Sequence, residues 1–211
     1  AQDAARVSAV LPIPGSVLQA QLDALPEVDA YRIGTLLSAE NARIVAEFLQ
    51  PRAALPIVVD PVLRSSTGEA LWTNAAYIDE LRERMLRLPV IVTPNLAEAA
   101  VLLRSKPVRD RDGMIAAGRA LLDLGAAAAL VTGGHLAGDP ADVLVHRGET
   151  KVFEASRLPG AMRGTGCVLA MALACELALG CELVTAVENA RVYVRAKIEA
   201  GTRFGSLQTA F

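Results

Sequence analysis

"VIVTPNLAEAAVLL", residues 90–103, changes character in mid-stretch. "VIVTPN" is a short β-branched run of the kind that forms a strand, and "NLAEAAVLL" continues as a helix. The alternation extends in both directions. Toward the amino end, "VDAYRIG" (28–34) and "LPIVVDP" (55–61) read as strands, the second buried and stopped by Pro61. Three stretches there read as helices: "PGSVLQAQLDAL" (14–25) with Val17, Leu18, Leu22 and Leu25 on one face, "SAENARIVAEFL" (38–49) capped by Ser38, and "TNAAYIDELRERMLRL" (73–88) capped by Thr73. Toward the carboxyl end, "DGMIAAGRALLDLG" (112–125) is a helix closed by Gly125, and "AAAALVTGG" (126–134) is a strand. "DVLVHRGETKVFEA" (142–155) forms a hairpin around "RGE", and two helices follow at about 165–179 and 182–199. Strands and helices in this order predict βαβ units: an α/β domain with a mostly parallel sheet and helices on both faces. Nothing reads as a repeat or linker, so one domain is expected over residues 1–211.

Bulk composition narrows the function. The 211 residues are 53% hydrophobic and 21% charged, enough for a sizeable core. A net charge of −2 lacks the basic excess of a nucleic-acid or membrane-surface binder. The apolar runs fall well short of the ~18 residues that cross a bilayer, and no signal peptide is visible. The three cysteines, Cys167, Cys175 and Cys181, have no paired spacing, which fits reduced thiols in a cytoplasm. His135 and His146 form no zinc-type pattern with them.

In open parallel sheets, ligands bind beyond the carboxyl ends of the strands. Gly34, Asp60, Thr93 with Asn95, and Thr132 with Gly133 and Gly134 all stand at such ends. "GTGC", Gly164–Cys167, runs straight into an apolar helix. Glycines let a ligand approach the backbone, and a helix N-terminus presents unpaired N–H groups and positive charge, a combination suited to phosphate. The same field lowers a thiol pKa, so Cys167 is read either as a partly ionised reactive thiol or as a small core residue after a turn. Cys175 and Cys181 read as packing or surface residues. Asp60 is read as a turn cap or as a Mg²⁺ ligand. Asn95 and Glu98, three apart, form an ordinary helix cap or aim an amide and a carboxylate at a metal-bound phosphate. Thr132 and the glycines after it could hold a nucleotide phosphate. His135 reads as structural, and Trp72 and the tyrosines show no base-stacking spacing.

The ordered motifs "RIGTLLS", "VVDPV", "TPNLAEA", "LVTGGHL" and "RGTGCVLA" resemble the ribokinase-like superfamily. Within it the chain looks most similar to the hydroxymethylpyrimidine and phosphomethylpyrimidine kinases of thiamine biosynthesis, with pyridoxal kinases as close relatives. The resemblance implies a three-layer α/β/α fold, ATP and Mg²⁺ as cofactors, a small pyrimidine substrate and a homodimer. It implies an anion hole for the transferred phosphoryl group at Gly164, Thr165 and Gly166, with Cys167 beside the substrate hydroxyl. Asp60, Asn95 and Glu98 would organise Mg²⁺ and the nucleotide phosphates. Thr132 and Gly134 would contact ATP, and Gln2 would bind the pyrimidine ring, whose pocket Gly34 and Thr35 would line. A pyridoxal or pyridoxine kinase and a non-catalytic ligand-binding relative are the alternative readings.

The chain departs from the family pattern at several points. It begins at "AQDAARV", past the family's opening strand, glycine-rich loop and helix, so a fragment or a late-started gene model is expected. Thr35 stands for a Met, Arg32 for a Lys, Thr132 for the Lys before the paired glycines, and Arg163 for a His, while "RSSTG" (64–68) differs from the usual "AKSG". Valine at Gly166 is expected to damage both rate and folding.

Overall fold

Four of the expected strands pair side by side in chain order. The computed structural model describes residues 9–65, 71, 74–134, 136, 138–158, 164–204 and 207–209. In it β1 (Tyr31–Ile33), β2 (Ile57–Val59), β3 (Ile91–Val92) and β4 (Ala128–Thr132) run parallel. β5 (Ala141–His146) and β6 (Glu149–Glu154) extend the sheet antiparallel, in the order β1-β2-β3-β4-β5-β6. The helices are α1 (Gly15–Asp23), α2 (Ala39–Leu49), α3 (Ala75–Glu83), α4 (Leu96–Leu103), α5 (Arg111–Asp123), α6 (Thr165–Ala178) and α7 (Leu183–Ala200). A separate ribbon pairs β7 (Thr202–Phe204) with β8 (Leu207–Thr209).

Crossovers between parallel strands are right-handed, so a sheet that grows in one direction lays its connecting helices on one side. Strand side chains accordingly divide by parity. Ile57, Val59, Ala129, Val131, Val143 and Val145 pack with residues of α2 to α5. Val58, Ala128, Leu130 and Leu144 pack with α6 and α7 on the opposite face. β2 is therefore buried on both faces, which is why its sequence is an unbroken apolar run.

Local chemistry sets the element ends, with some corrections to the expected ones. Ser38 accepts the Asn41 N–H at 3.2 Å and caps α2 as read. The cap of α3 is Asn74, which is extended and accepts the Tyr77 N–H at 3.3 Å. Thr73, the expected cap, lies outside the described residues, as does Trp72. α3 also stops at Glu83, and a single 3-10 turn, Met85–Arg87, takes the chain on with Met85 and Leu86 buried. On α1 only Leu18 and Leu22 reach the core; Val17 and Leu25 are exposed because the helix lies against α2 at the margin of the sheet. The β5–β6 hairpin turns on Arg147 and Gly148, whose φ values of 48° and 80° match the strand twist.

The ladder continues past the strands and aligns their carboxyl ends. Asp60 N donates to Ile33 O at 2.8 Å, Thr93 N to Val59 O at 2.9 Å, and Thr132 N to Pro94 O at 2.9 Å. Gly34, Asp60, Thr93–Asn95 and Thr132–Gly134 thus follow one another along one rim.

Candidate active site

α6 begins at that rim, over β1 and β2. Its N-cap, Gly164, is left-handed (φ 82°, ψ 1°), a conformation glycine adopts without strain, and it supplies no capping side chain. The first-turn N–H groups at Thr165, Gly166 and Cys167 have no partner within the helix, and the helix dipole stands behind them. Gly166 is exposed, and a Cβ built on it meets nothing within 4 Å. A single methyl at Gly166 therefore meets no described side chain, and the expected harm of valine to folding is left to its further branches.

Cys167 is half-buried and faces both Asp60 and Arg32. Burial first, and then the charge and hydrogen bond of Asp60, push its thiol up to about 11, against the opposing pull of Arg32. The expected thiolate is therefore corrected to a protonated thiol at neutral pH: the helix dipole is outweighed by desolvation and a nearby carboxylate. Asp60, 4% exposed, forms an ion pair with the Arg32 guanidinium. That guanidinium also lies over Gly34, where a Cβ would come within 2.3 Å of Arg32 Nη1. Arg32, Asp60 and Cys167 thus form one cluster that the sequence reading did not assemble. Thr35 is exposed next to Gly34 on the same rim.

Asn95 and Glu98 make a reciprocal capping box at the start of α4. Asn95 Oδ1 accepts the N–H groups of Ala97 (2.9 Å) and Glu98 (3.0 Å), and Glu98 Oε2 accepts the Asn95 N–H at 2.9 Å. Glu98 is 5% exposed. Its carboxyl is raised to about 7, mainly by burial and further by the charge of Asp60, with the hydrogen bond from Asn95 acting against them. Among the described residues no three His, Cys, Asp or Glu side chains cluster as a metal site. Two buried carboxylates that feel each other, Asp60 paired with Arg32 and Glu98 held in the capping box, still fit Mg²⁺, which commonly takes one or two carboxylates and completes its shell with water and phosphate.

Because the folded Glu98 carboxyl binds its proton more tightly than the ordinary value of 4.5, its contribution to stability is fully present below that value and is lost as pH rises to about 7. In the presence of a chelator, the unfolding free energy is expected to fall across this window by on the order of 3 kcal/mol from Glu98. Glu98→Gln removes that slope. Denaturant titrations of both proteins at several pH values check it, and equal slopes would refute it.

At the end of β4, Thr132 is partly exposed and its hydroxyl lies 3.5 Å from Pro94 O. Gly133 is buried and donates its N–H to Asp142 Oδ1 at 3.0 Å; Gly134 is exposed. The two glycines differ in a way that the sequence did not reveal. A Cβ on Gly133 would sit 2.1 Å from Ala141 O, whereas one on Gly134 meets nothing within 4 Å. Gly133→Ala is expected to destabilise the fold by about 1–3 kcal/mol, as overpacking does, and Gly134→Ala to leave stability nearly unchanged. Thermal unfolding of the two variants decides it.

Gln2, Arg163 and His135 lie outside the described residues. Cys175 is exposed and Cys181 half-buried, away from the rim cluster. A cleft of about 440 Å³ lined by Arg82, Arg87, Arg104 and Gly125 lies where α3, α4 and α5 end. Helix ends feed strand beginnings, so this cleft opens at the opposite rim and shares none of the residues above.

The model of the phosphomethylpyrimidine kinase family matches residues 1–210. The chain belongs to that family. It is 39% identical over 209 residues to the hydroxymethylpyrimidine/phosphomethylpyrimidine kinase of Streptomyces coelicolor, an alignment covering 97% of this chain and 77% of that one. Among solved structures, it is similar to an ADP complex of Bacillus subtilis pyridoxal kinase, with TM-score 0.84 and 28% identity over 94% of this chain and 76% of that chain. It is also similar to the phosphomethylpyrimidine kinase of Clostridium difficile, with TM-score 0.72 and 30% identity over 87% and 74% of the two chains. The fold is the ribokinase-like α/β fold of these kinases. No helix among the described residues is long and apolar enough to cross a membrane.

Proposed function

We propose that the chain is an ATP-dependent kinase of thiamine biosynthesis, phosphorylating the hydroxymethyl group, or the phosphate already on it, of 4-amino-5-hydroxymethyl-2-methylpyrimidine. One observation carries the reading: the uncapped, glycine-initiated N-terminus of α6 opens on the strand rim beside Cys167, Asp60 and Arg32.

Phosphoryl transfer asks a protein mainly for positioning and charge neutralisation. The N–H groups at Gly164, Thr165 and Gly166 receive the oxygens of the migrating phosphoryl group. Cys167, protonated at neutral pH, orients the substrate hydroxyl. In that role, the hydroxyl oxygen bonds to the γ-phosphorus as the bond to the ADP oxygen breaks and ADP departs, while the hydroxyl proton passes to sulfur and the thiol's own proton is released to water. Asp60 and Glu98 would hold Mg²⁺, which when bound neutralises phosphate charge. Asn95, Thr132 and Gly134 face the nucleotide, and Gln2, Gly34 and Thr35 the pyrimidine. We place the enzyme in the cytoplasm as a homodimer built from one domain.

A second reading, pyridoxal phosphorylation, is favoured by the higher TM-score to a pyridoxal kinase than to a phosphomethylpyrimidine kinase. A coupled ADP-release assay with hydroxymethylpyrimidine, its monophosphate and pyridoxal side by side tests both. Preference for the two pyrimidines supports the first; turnover of pyridoxal alone replaces it with the second. No turnover of any, with ligand binding retained, favours a non-catalytic relative.

A further inference from the structure

Three residues that follow β4, Gly134, Leu136 and Gly138, give their carbonyls to a side chain from elsewhere in the chain. Arg157, which follows β6, donates from Nη1 to Gly134 O at 3.0 Å, from Nη2 to Leu136 O at 2.7 Å and from Nε to Gly138 O at 2.8 Å. Its own N–H donates to Asp139 Oδ1 at 3.0 Å. A guanidinium offers a rigid fork of donors, and here three of them go to alternate carbonyls of a single loop. Carbonyl oxygens repel a polyphosphate, and these three are instead bonded to a cation.

Both anchors of this arrangement lead to α7. Arg195 donates to Ser156 O at 2.9 Å, next to Arg157. One turn earlier, Arg191 pairs with Asp142, whose other oxygen takes the Gly133 N–H at the start of the same loop. Gly133 is thus held through Asp142, and Gly134, Leu136 and Gly138 through Arg157.

We propose that Arg157 is a positioning residue for the nucleotide: it fixes Gly134, Leu136 and Gly138 through their carbonyls so that ATP finds them ready-made, without itself touching the pyrimidine. This rests on the reading of that loop as the nucleotide side of a kinase site. Arg157 is exposed, so its loss leaves the core intact.

The test is calorimetric binding of ATP with Mg²⁺ to the purified full chain, joined to steady-state kinetics. Arg157→Ala is expected to weaken ATP binding and raise KM for ATP by about tenfold, as loss of charged hydrogen bonds implies. KM for the pyrimidine should stay within about twofold. Arg157→Lys, with one compact ammonium in place of the fork, is expected to restore part of the loss. It carries the same comparison if the alanine variant does not fold. Unchanged ATP affinity in both variants overturns the proposal and leaves the kinase reading standing; equal losses for ATP and pyrimidine overturn it too. A wild-type chain that binds no ATP overturns the kinase reading and this inference with it.

Discussion

Cys167→Ala is expected to lower kcat by about 10²–10³-fold while leaving ATP affinity within about twofold of wild type. The thiol is the group on α6 that faces Asp60 and Arg32 together, so its removal takes away the hydroxyl's partner at the transfer centre. The nucleotide-facing candidates Asn95 and Thr132 stand on β3–α4 and β4, and the truncation leaves their hydrogen bonds in place. Because the thiol is raised to about 11, the wild-type rate should not climb through the range of an ordinary cysteine as a thiolate-driven reaction would. Stopped-time assays on matched preparations, with nucleotide binding measured separately, check the split. An unchanged kcat would remove the thiol from the mechanism and leave phosphoryl transfer to positioning by the helix terminus alone.

The second large effect separates folding from rate at one atom. Gly166→Ala is expected to leave stability unchanged or raise it by up to about 1 kcal/mol, since alanine is the better helix former and, among the described residues, its methyl meets no neighbour within 4 Å. On the proposed function the same methyl would occupy the space that the migrating phosphoryl group needs, and kcat is expected to drop by about a hundredfold, comparable to the loss of an oxyanion donor. Melting temperature and kcat from a single preparation give both numbers. A variant with full activity would mean that phosphate does not approach α6 at this point; a variant that unfolds would mean that the open space is illusory.

The sheet and its helices were legible because strand and helix periods alternate cleanly, and the Asn95–Glu98 box was legible because both partners lie within one helical turn. What escaped the sequence depends on distance along the chain. Arg32 and Asp60 are 28 residues apart, and nothing local marks them as a pair. The dipole that lowers a thiol pKa is a property of the helix containing Cys167 and could be read directly; the burial and the carboxylate that outweigh it come from other elements. Gly133 and Gly134 are equivalent in the string, and only the approach of Ala141 O distinguishes them. The sequence reading put the cap of α3 at Thr73 and passed over Asn74, whose extended backbone and bond from the Tyr77 N–H make it the cap. The grip of Arg157 needs the β5–β6 hairpin to bring it back beside the loop, which no pattern in residues 133–139 announces.

The division of the sheet's two faces also orders events on the ribosome. Helices α2 to α5 emerge interleaved with the strands they cover, but α6 and α7 follow all six. Val58, Leu130 and Leu144 are therefore made long before their partners, and a nascent chain carries one bare apolar face that invites chaperones until the final stretch is translated. The helix proposed to cradle phosphate also covers that face, so on this reading chemical competence and escape from aggregation arrive together.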